Sequence, residues 1–289
     1  IQDNIFIKLE NVFNFIIDKI YVSLLEEIKK GCWTNTILVS ELDFNELIFE
    51  RKFSPKECVD KYNSWNNEFS WHQTGGRLER MNDNEIFFST GEFRNRELAQ
   101  DNKSIFGKIL KINLDTEEYK IISKGHRNPQ GLYFDAKENI ILSSDHGATG
   151  GDEINLSDLN LDREFNFGWP IASYSKHYSG GITLERFPLL KSHKENGFDE
   201  PIKYFKADEN GKTIGPSQII KYKENKYILS SMYKKSIFLF ELNKSRKIKD
   251  IKKIKVGERI RDLIIKDNKI YLFLENTASI GVIDLISIL

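Results

Sequence analysis

This 289-residue sequence predicts an all-β fold, a β-propeller of four-stranded antiparallel blades, on three observations. A two-strand pattern recurs five times along the chain. Further strand candidates lie between the copies. Helical periodicity is weak throughout.

The five copies are NVFNFIIDKIYVSLLEE (11–27), GRLERMNDNEIFFSTGE (76–92), QGLYFDAKENIILSSDHG (130–147), SQIIKYKENKYILSSMY (217–233) and RDLIIKDNKIYLFLENT (261–277). Each pairs an apolar run with a short polar turn of Asp, Asn or Lys, then a second run rich in Ile, Tyr, Phe and Leu. Apolar runs flanking a tight Asn/Asp turn are the signature of a hairpin. Between them lie TILVSEL (36–42), ELIFERKF (46–53), GKILKINLD (107–115), EYKIISK (118–124) and SIFLFEL (236–242), which bring each unit to four strands or nearly so. One four-stranded sheet cannot bury both its faces, but blades stacked around an axis can. The stretch LENVFNFIIDKIYVSLLEEIKK (9–30) has a helical look, and its agreement with the repeat assigns it to strands. The gap from 148 to 216, which holds FNFGWPIASYSKHYSGG (165–181), reads as a long functional loop. The whole of 1–289 reads as one propeller domain.

Composition excludes several roles. Lys plus Arg and Asp plus Glu are both 43, which leaves no basic surplus for nucleic acid or for an anionic membrane surface. No apolar run reaches the length of a membrane span; residues 11–25 come closest, and Asp18 and Lys19 interrupt them. No signal peptide is visible, and with Ile1 at its head the chain reads as a processed or partial product. Cys32 and Cys58 either pair in an oxidising compartment or stay free, and their spacing fits no metal site.

Four stretches carry candidate chemistry. In SSDHGATGGDEINL (143–156), three glycines precede Asp152 and Glu153, with His146 upstream. Glycines let carbonyls converge on a hard cation, and carboxylates complete such a site; a polar turn with solvated acids is the other reading. In SWHQTGGRL (70–78), His72 is either a general base or a structural histidine. GHRNPQG (125–131) is either a plain turn or a clamp built on Arg127 and Asn128. In GERIRDLII (257–265), Arg259 and Arg261 share one strand face and suit a ligand with several carboxylates, unless Glu258 and Asp262 make them surface cations. Lys234 and Lys235 end the fourth hairpin and add two more cations. All these stretches lie at strand entrances or exits, which in a propeller face the central channel.

With those stretches in view, the chain resembles the glucose/sorbosone dehydrogenase family of soluble PQQ-dependent sugar dehydrogenases, in its aldose sugar dehydrogenase branch. The matching runs are HQTGGRL, GKILKINLD, GHRNPQGLYFD, DHGATGGDEINL, FNFGWPIASY, GFDEPIKYF and ERIRD, in family order over residues 70–275 or so. The resemblance implies a six-bladed propeller that oxidises a sugar C1 hydroxyl to a lactone by hydride transfer to PQQ. It implies His72 as the general base, Arg127 and Asn128 at the quinone edge, and His146 beside the ring. It implies carbonyls of Gly147 and Ala148 on the Ca2+ that polarises PQQ, and Glu153 with the backbone around Phe167 at a second Ca2+; Asp152 belongs to the same acidic loop. Arg259 and Arg261, with Lys234 nearby, are implied at the PQQ carboxylates. A sugar and an electron acceptor are the implied partners, and a periplasmic or extracellular location is implied as well.

The chain departs from the family in places. Ala148 stands where the family has Pro, NFGWP replaces NYGWP, and Tyr233 stands where one branch has Lys, with Lys234 one residue on. No counterpart of the family's first blade is recognisable. A non-catalytic propeller that binds a ligand or a protein is the alternative function.

Overall fold

Left-handed backbone at a few Asn and Asp residues turns the chain back on itself, and strand pairing follows from those turns. Asn139, Asn225, Asp267 and Asn268 have φ between 50° and 57°. Asn and Asp tolerate this region because their short side chains can bond locally. Each closes a hairpin where the sequence repeat placed one. The structure is a computed structural model that describes residues 6–9, 19–62, 69–178 and 187–288. The chain divides into two compact units, residues 1–129 and 130–289.

The first unit holds two sheets. In one, β1 (Phe6–Leu9), β2 (Lys19–Lys29), β3 (Cys32–Glu41) and β4 (Glu50–Phe53) pair in chain order, and β5 (Val59–Asp60) also pairs with β3. In the other, β6 (Gly75–Arg80), β7 (Glu85–Thr90), β8 (Lys108–Asn113) and β9 (Tyr119–Lys124) pair each with the next. Ile37, Phe53 and Val59 of the first sheet share a core with Ile86, Phe88, Leu110 and Ile112 of the second.

The second unit holds three. β10 (Pro129–Asp135), β11 (Ile140–Asp145) and β12 (Asp152–Asp158) pair in order; a short β13 (Phe165–Asn166) follows, and β14 (Lys203–Phe205) then adds to β12. β15 (Pro216–Lys223), β16 (Lys226–Ser231), β17 (Ser236–Leu242) and β18 (Ile248–Lys255) make the next sheet. β19 (Ile260–Lys266), β20 (Lys269–Leu274) and β21 (Ser279–Asp284) make the last. Strand β16 shows how they stack. Tyr227 and Leu229 face a core shared with Ile140, Leu142 and Ile154, while Ile228 faces a second core with Leu263, Ile270 and Leu272. One strand therefore feeds two cores through its alternate faces. Each such apolar side chain contributes about 1.5–3 kcal/mol on burial.

The observed elements refine the sequence reading. β2 and β3 turn at Lys30–Gly31, with Gly31 at φ 78° and Lys29 paired to Cys32, and β1 also pairs antiparallel with β2. Residues 11–18 of that repeat lie outside the described residues, and 19–27 belong to a single strand. ELIFERKF forms a strand only at Glu50–Phe53; Leu47 and Ile48 before it are exposed. The presumed loop from 148 to 216 contains β12, β13 and β14, and its residues 179–186 are outside the described set. Strands β18 and β21 are additions to the predicted list. Five sheets are present among the described residues, against the six blades the resemblance implied.

The cysteine alternatives resolve to a disulfide between Cys32 and Cys58, 26 residues apart in sequence. It ties the start of β3 to the segment that enters β5, where Cys32 pairs with Asp60. Chain-entropy reasoning gives a loop of that length about 3 kcal/mol of stabilisation. Reduction by dithiothreitol is expected to lower the unfolding free energy by about that amount, measured as a fall in the urea midpoint at constant slope. An unchanged midpoint counts against any stabilising role.

Candidate functional site

In the first unit, three loops are laced together around GHRNPQG. Asn128 follows β9 and is buried; its Oδ1 accepts from the Gly75 N–H at 3.1 Å, and its Nδ2 donates to the His72 carbonyl at 3.3 Å. One carboxamide thus fixes the loop that carries His72 to the loop that carries Arg127. His72 itself is exposed on a turn just before β6. Arg127 is 5% exposed, and its carbonyl accepts from the Glu92 N–H at 3.1 Å. Ser89 adds a further tie, donating to the Pro129 carbonyl at 2.9 Å. Gly91 is required where these loops meet, since a Cβ there would lie 2.3 Å from the Gln73 carbonyl oxygen. The structure therefore ties the backbone of the His72 loop to the loop that carries Arg127 and Asn128.

Glu92 joins them and was not a sequence candidate. It is fully buried, and neither carboxyl oxygen has a hydrogen bond of ordinary geometry, although the Arg94 backbone N–H lies near. Burial pushes its carboxyl up to about 7, against the pull of the Arg127 and Arg96 charges. Phe93 and Arg94, the next two residues, have φ of 54° and 63°, an uncommon conformation for non-glycine residues that concentrates at functional sites. The signal available in the sequence was an acid at the end of an inner strand, followed by FRNR.

In the second unit, His146 Nε2 donates to the Pro216 carbonyl at 2.7 Å, which fixes the imidazole at the end of β11. Asp152 is engaged by its neighbours. Its Oδ1 accepts from Gly147 N at 3.0 Å, and its Oδ2 accepts from Ile214 N at 3.2 Å, Gly215 N at 2.8 Å and the Thr213 hydroxyl. With four donors on two oxygens, Asp152 pins the loops at 147 and 213–215, and this geometry does not single it out as a metal ligand. Lys234 is paired with Asp208 at 2.7 Å. Arg259 and Arg261 do point together, as their spacing predicted, onto the same Glu275 oxygen at 3.1 and 2.8 Å. Their shared partner is Glu275 rather than the sequence neighbours Glu258 and Asp262.

Glu153 is the more telling acid. It is 7% exposed, and its hydrogen bond is a 3.5 Å contact from Asn155 Nδ2. Burial, reinforced by the Asp145 carboxylate across the β11–β12 ladder, pushes its carboxyl well above the usual range. His193, 0% exposed, has its Nε2 3.9 Å from Glu153 Oε1, and burial holds its imidazole below the usual value. Phe167 is buried and stacks on Phe165 at a centroid distance of 6.5 Å. Among the described residues no group of three or more His, Cys, Asp and Glu side chains is placed to hold a metal. A cation at Gly147, Ala148 or Phe167 therefore relies on backbone carbonyls, with Glu153 as the one weakly partnered carboxylate that suits it.

Comparison with known proteins adds to this geometry. Residues 18–282 match the sequence profile of the family described as Glucose / Sorbosone dehydrogenase. The chain is 27% identical over 205 residues to the aldose sugar dehydrogenase YliI of Escherichia coli (strain K12), covering 65% of this chain and 53% of that protein. It is 31% identical over 139 residues to quinoprotein glucose dehydrogenase B of Acinetobacter calcoaceticus, covering 38% of this chain and 28% of that protein. The chain spans about half the length of the curated relatives that it matches most extensively. Among solved structures, the soluble aldose sugar dehydrogenase from Escherichia coli in its apo form superposes with a TM-score of 0.71 at 22% identity, covering 92% of this chain and 77% of that one. The PQQ-bound form of the aldose sugar dehydrogenase from Streptomyces coelicolor gives 0.68 at 22% identity, covering 92% and 75%. At these identities the likeness shows the fold, an all-β propeller of small antiparallel sheets.

The raised Glu92 carboxyl has a signed consequence. Between its ordinary value near 4.5 and about 7, the folded state holds a proton that the unfolded state has released, so stability falls as pH rises through that window. Glu92→Gln removes this dependence. Its unfolding free energy relative to the parent is expected to improve from pH 5 to pH 8 by on the order of 1–3 kcal/mol. Urea denaturation at both pH values measures it; a constant difference would mean that Glu92 titrates normally.

Proposed function

Because the chain belongs to the glucose/sorbosone dehydrogenase family, we propose that it oxidises the C1 hydroxyl of an aldose to the lactone with PQQ as hydride acceptor. The observation that carries this reading is the Asn128 bridge. It ties the loop of the base candidate His72 to the loop of the cation Arg127, although 55 residues separate the two in sequence (127 − 72), and this supports the reading. When bound, PQQ supplies the two-electron acceptor, and a Ca2+ beside it polarises it.

The residues divide the remaining work. The His72 imidazole takes the proton of the anomeric hydroxyl as the C1 hydride departs with its electron pair and the C1–O double bond forms. Arg127 and Asn128 present donors to the acceptor's developing negative charge. Glu92 stays largely neutral below pH 7, so it offsets little of the Arg127 charge there. Arg259 and Arg261, already aligned on one carboxylate oxygen, offer the bidentate chemistry that cofactor carboxylates need. His146, fixed by the Pro216 carbonyl, lies beside the cofactor ring in this reading, and Lys234 adds a cation. Carbonyls of Gly147 and Ala148 would hold the Ca2+, with Asp152 bonded to the Gly147 N–H of their loop. The Cys32–Cys58 disulfide supports an oxidising compartment, hence the periplasm or the cell exterior. A sugar and an electron acceptor complete the partners.

The test is reconstitution with PQQ and Ca2+, followed by aldose-dependent dye reduction. Turnover with at least one common aldose is expected. No dye reduction across several sugars, together with no PQQ binding by calorimetry, would sink the reading. His72→Ala is expected to lower turnover by about 10²–10⁴ while PQQ affinity holds; lost PQQ binding would remove His72 from the role of base.

A further inference from the structure

Aromatic side chains gather beside the turn that carries His72, all within the first unit. Trp71 precedes His72 in the chain and is 44% exposed, and Tyr62 is 62% exposed. Both rings are held in place. Trp71 meets Phe69 edge-to-face at a centroid distance of 5.2 Å and Trp33 at 6.1 Å. Phe69 rests in turn on the buried Phe93 at 5.9 Å. The Tyr62 ring lies against Gly31, where a Cβ would come within 2.5 Å of its Cε2. The Tyr62 N–H donates to Asp60 Oδ1 at 2.8 Å, and the Lys61 N–H donates to the Gly31 carbonyl at 2.9 Å. The Cys32–Cys58 disulfide and the pairing of Cys32 with Asp60 fasten this segment to β3, the strand that carries Trp33.

Rigid rings left open to water form a recognition surface, because they bind without losing much conformational freedom. Their surroundings narrow the ligand. The Lys61 ammonium sits 4.9 Å from the Tyr62 ring centre and 5.8 Å from that of Trp71. The place a ligand cation would take against these rings is therefore filled. The exposed parts of the two rings amount to about 200 Å², well under the roughly 800 Å² that one side of a stable protein interface covers. That area suits a sugar ring rather than a protein. A pyranose offers C–H groups on its face for the aromatic rings. Its rim of hydroxyls can bond the Lys61 ammonium, the Tyr62 hydroxyl and the Trp71 indole N–H. Trp71 and His72 are consecutive, with Cα atoms about 3.8 Å apart, so a sugar on this platform adjoins one at the base candidate.

We propose that Tyr62 and Trp71 form a subsite for a second sugar unit, so that a disaccharide or longer oligosaccharide with a free reducing end is preferred over a monosaccharide. The substrate role rests on the aldose-oxidation reading, whereas the binding rests on the platform alone. The two rings touch the unit that does not react. They supply binding energy remote from the reacting carbon.

The experiment separates binding from turnover. Methyl glycosides of glucose, maltose and cellobiose have a blocked C1 hydroxyl and cannot be oxidised there. Each is titrated into the full chain by calorimetry, with and without PQQ and Ca2+. At least one disaccharide glycoside is expected to bind about tenfold more tightly than the glucoside, and Tyr62→Ala is expected to remove that margin. Circular dichroism establishes that the variant folds; if it does not, Tyr62→Leu, which keeps apolar bulk without the ring, takes its place. With the free sugars, the variant is expected to lower kcat/KM for the disaccharide relative to glucose by a similar factor. A disaccharide margin without turnover of any aldose supports the subsite and sinks the oxidation reading. Equal affinity for the mono- and disaccharide glycosides, no binding of any of them, or a margin indifferent to the Tyr62 substitution overturns the subsite.

Discussion

A strand that is apolar on both sides demands cover on both sides, and this constraint organises each unit. β7 buries Ile86, Phe87 and Phe88 in succession, β11 buries Ile140, Ile141 and Leu142, and β16 buries Tyr227, Ile228 and Leu229. No two-layer sheet with one wet face can accommodate such runs. Within each unit, sheets therefore stack face on face, and the middle strands carry the cores. The strand ends escape this demand. They are free to hold Arg127, Asn128, His146 and Arg259, residues that would be intolerable in the runs between them.

The same constraint explains what was legible in the sequence. Four of the five hairpins could be placed because two apolar runs flank a turn of Asn or Asp, and in three of them, at Asn139, Asn225 and Asp267–Asn268, those residues adopt left-handed backbone. The β2–β3 reversal was not legible because it uses Gly31 after a run of charged residues and carries no Asn or Asp signal. β12 was read as an ion loop because it opens on two acids, and nothing local announces that both are buried. β18, with its many lysines, is an outer strand, where charge discourages edge-to-edge pairing and hides the strand pattern.

Legibility of the candidate site divides along similar lines. GHRNPQG and the Arg259–Arg261 spacing are local patterns; Asn128 bridges two loops and the two arginines share one partner. Glu92 and His193 were invisible because their importance lies in what surrounds them. A glutamate after a glycine and a histidine between a serine and a lysine look ordinary until burial removes their water. Partner identity is equally non-local: Glu275 lies 14 residues beyond Arg261 (275 − 261), across the β19–β20 hairpin. The disulfide also needed the fold, since only the return of the chain to β3 through β5 brings Cys58 beside Cys32.

The Glu275 carboxylate gives the arginine pair a resident counter-ion. Any anion that reaches Arg259 and Arg261 enters by exchange, and its apparent affinity is the difference between two ion pairs rather than the worth of one. A monocarboxylate gains little by replacing another on a partly exposed pair. A rigid ligand with several carboxylates engages both guanidinium groups at once and wins the exchange through its geometry. Glu275 is thus a tethered competitor for any anion at this pair.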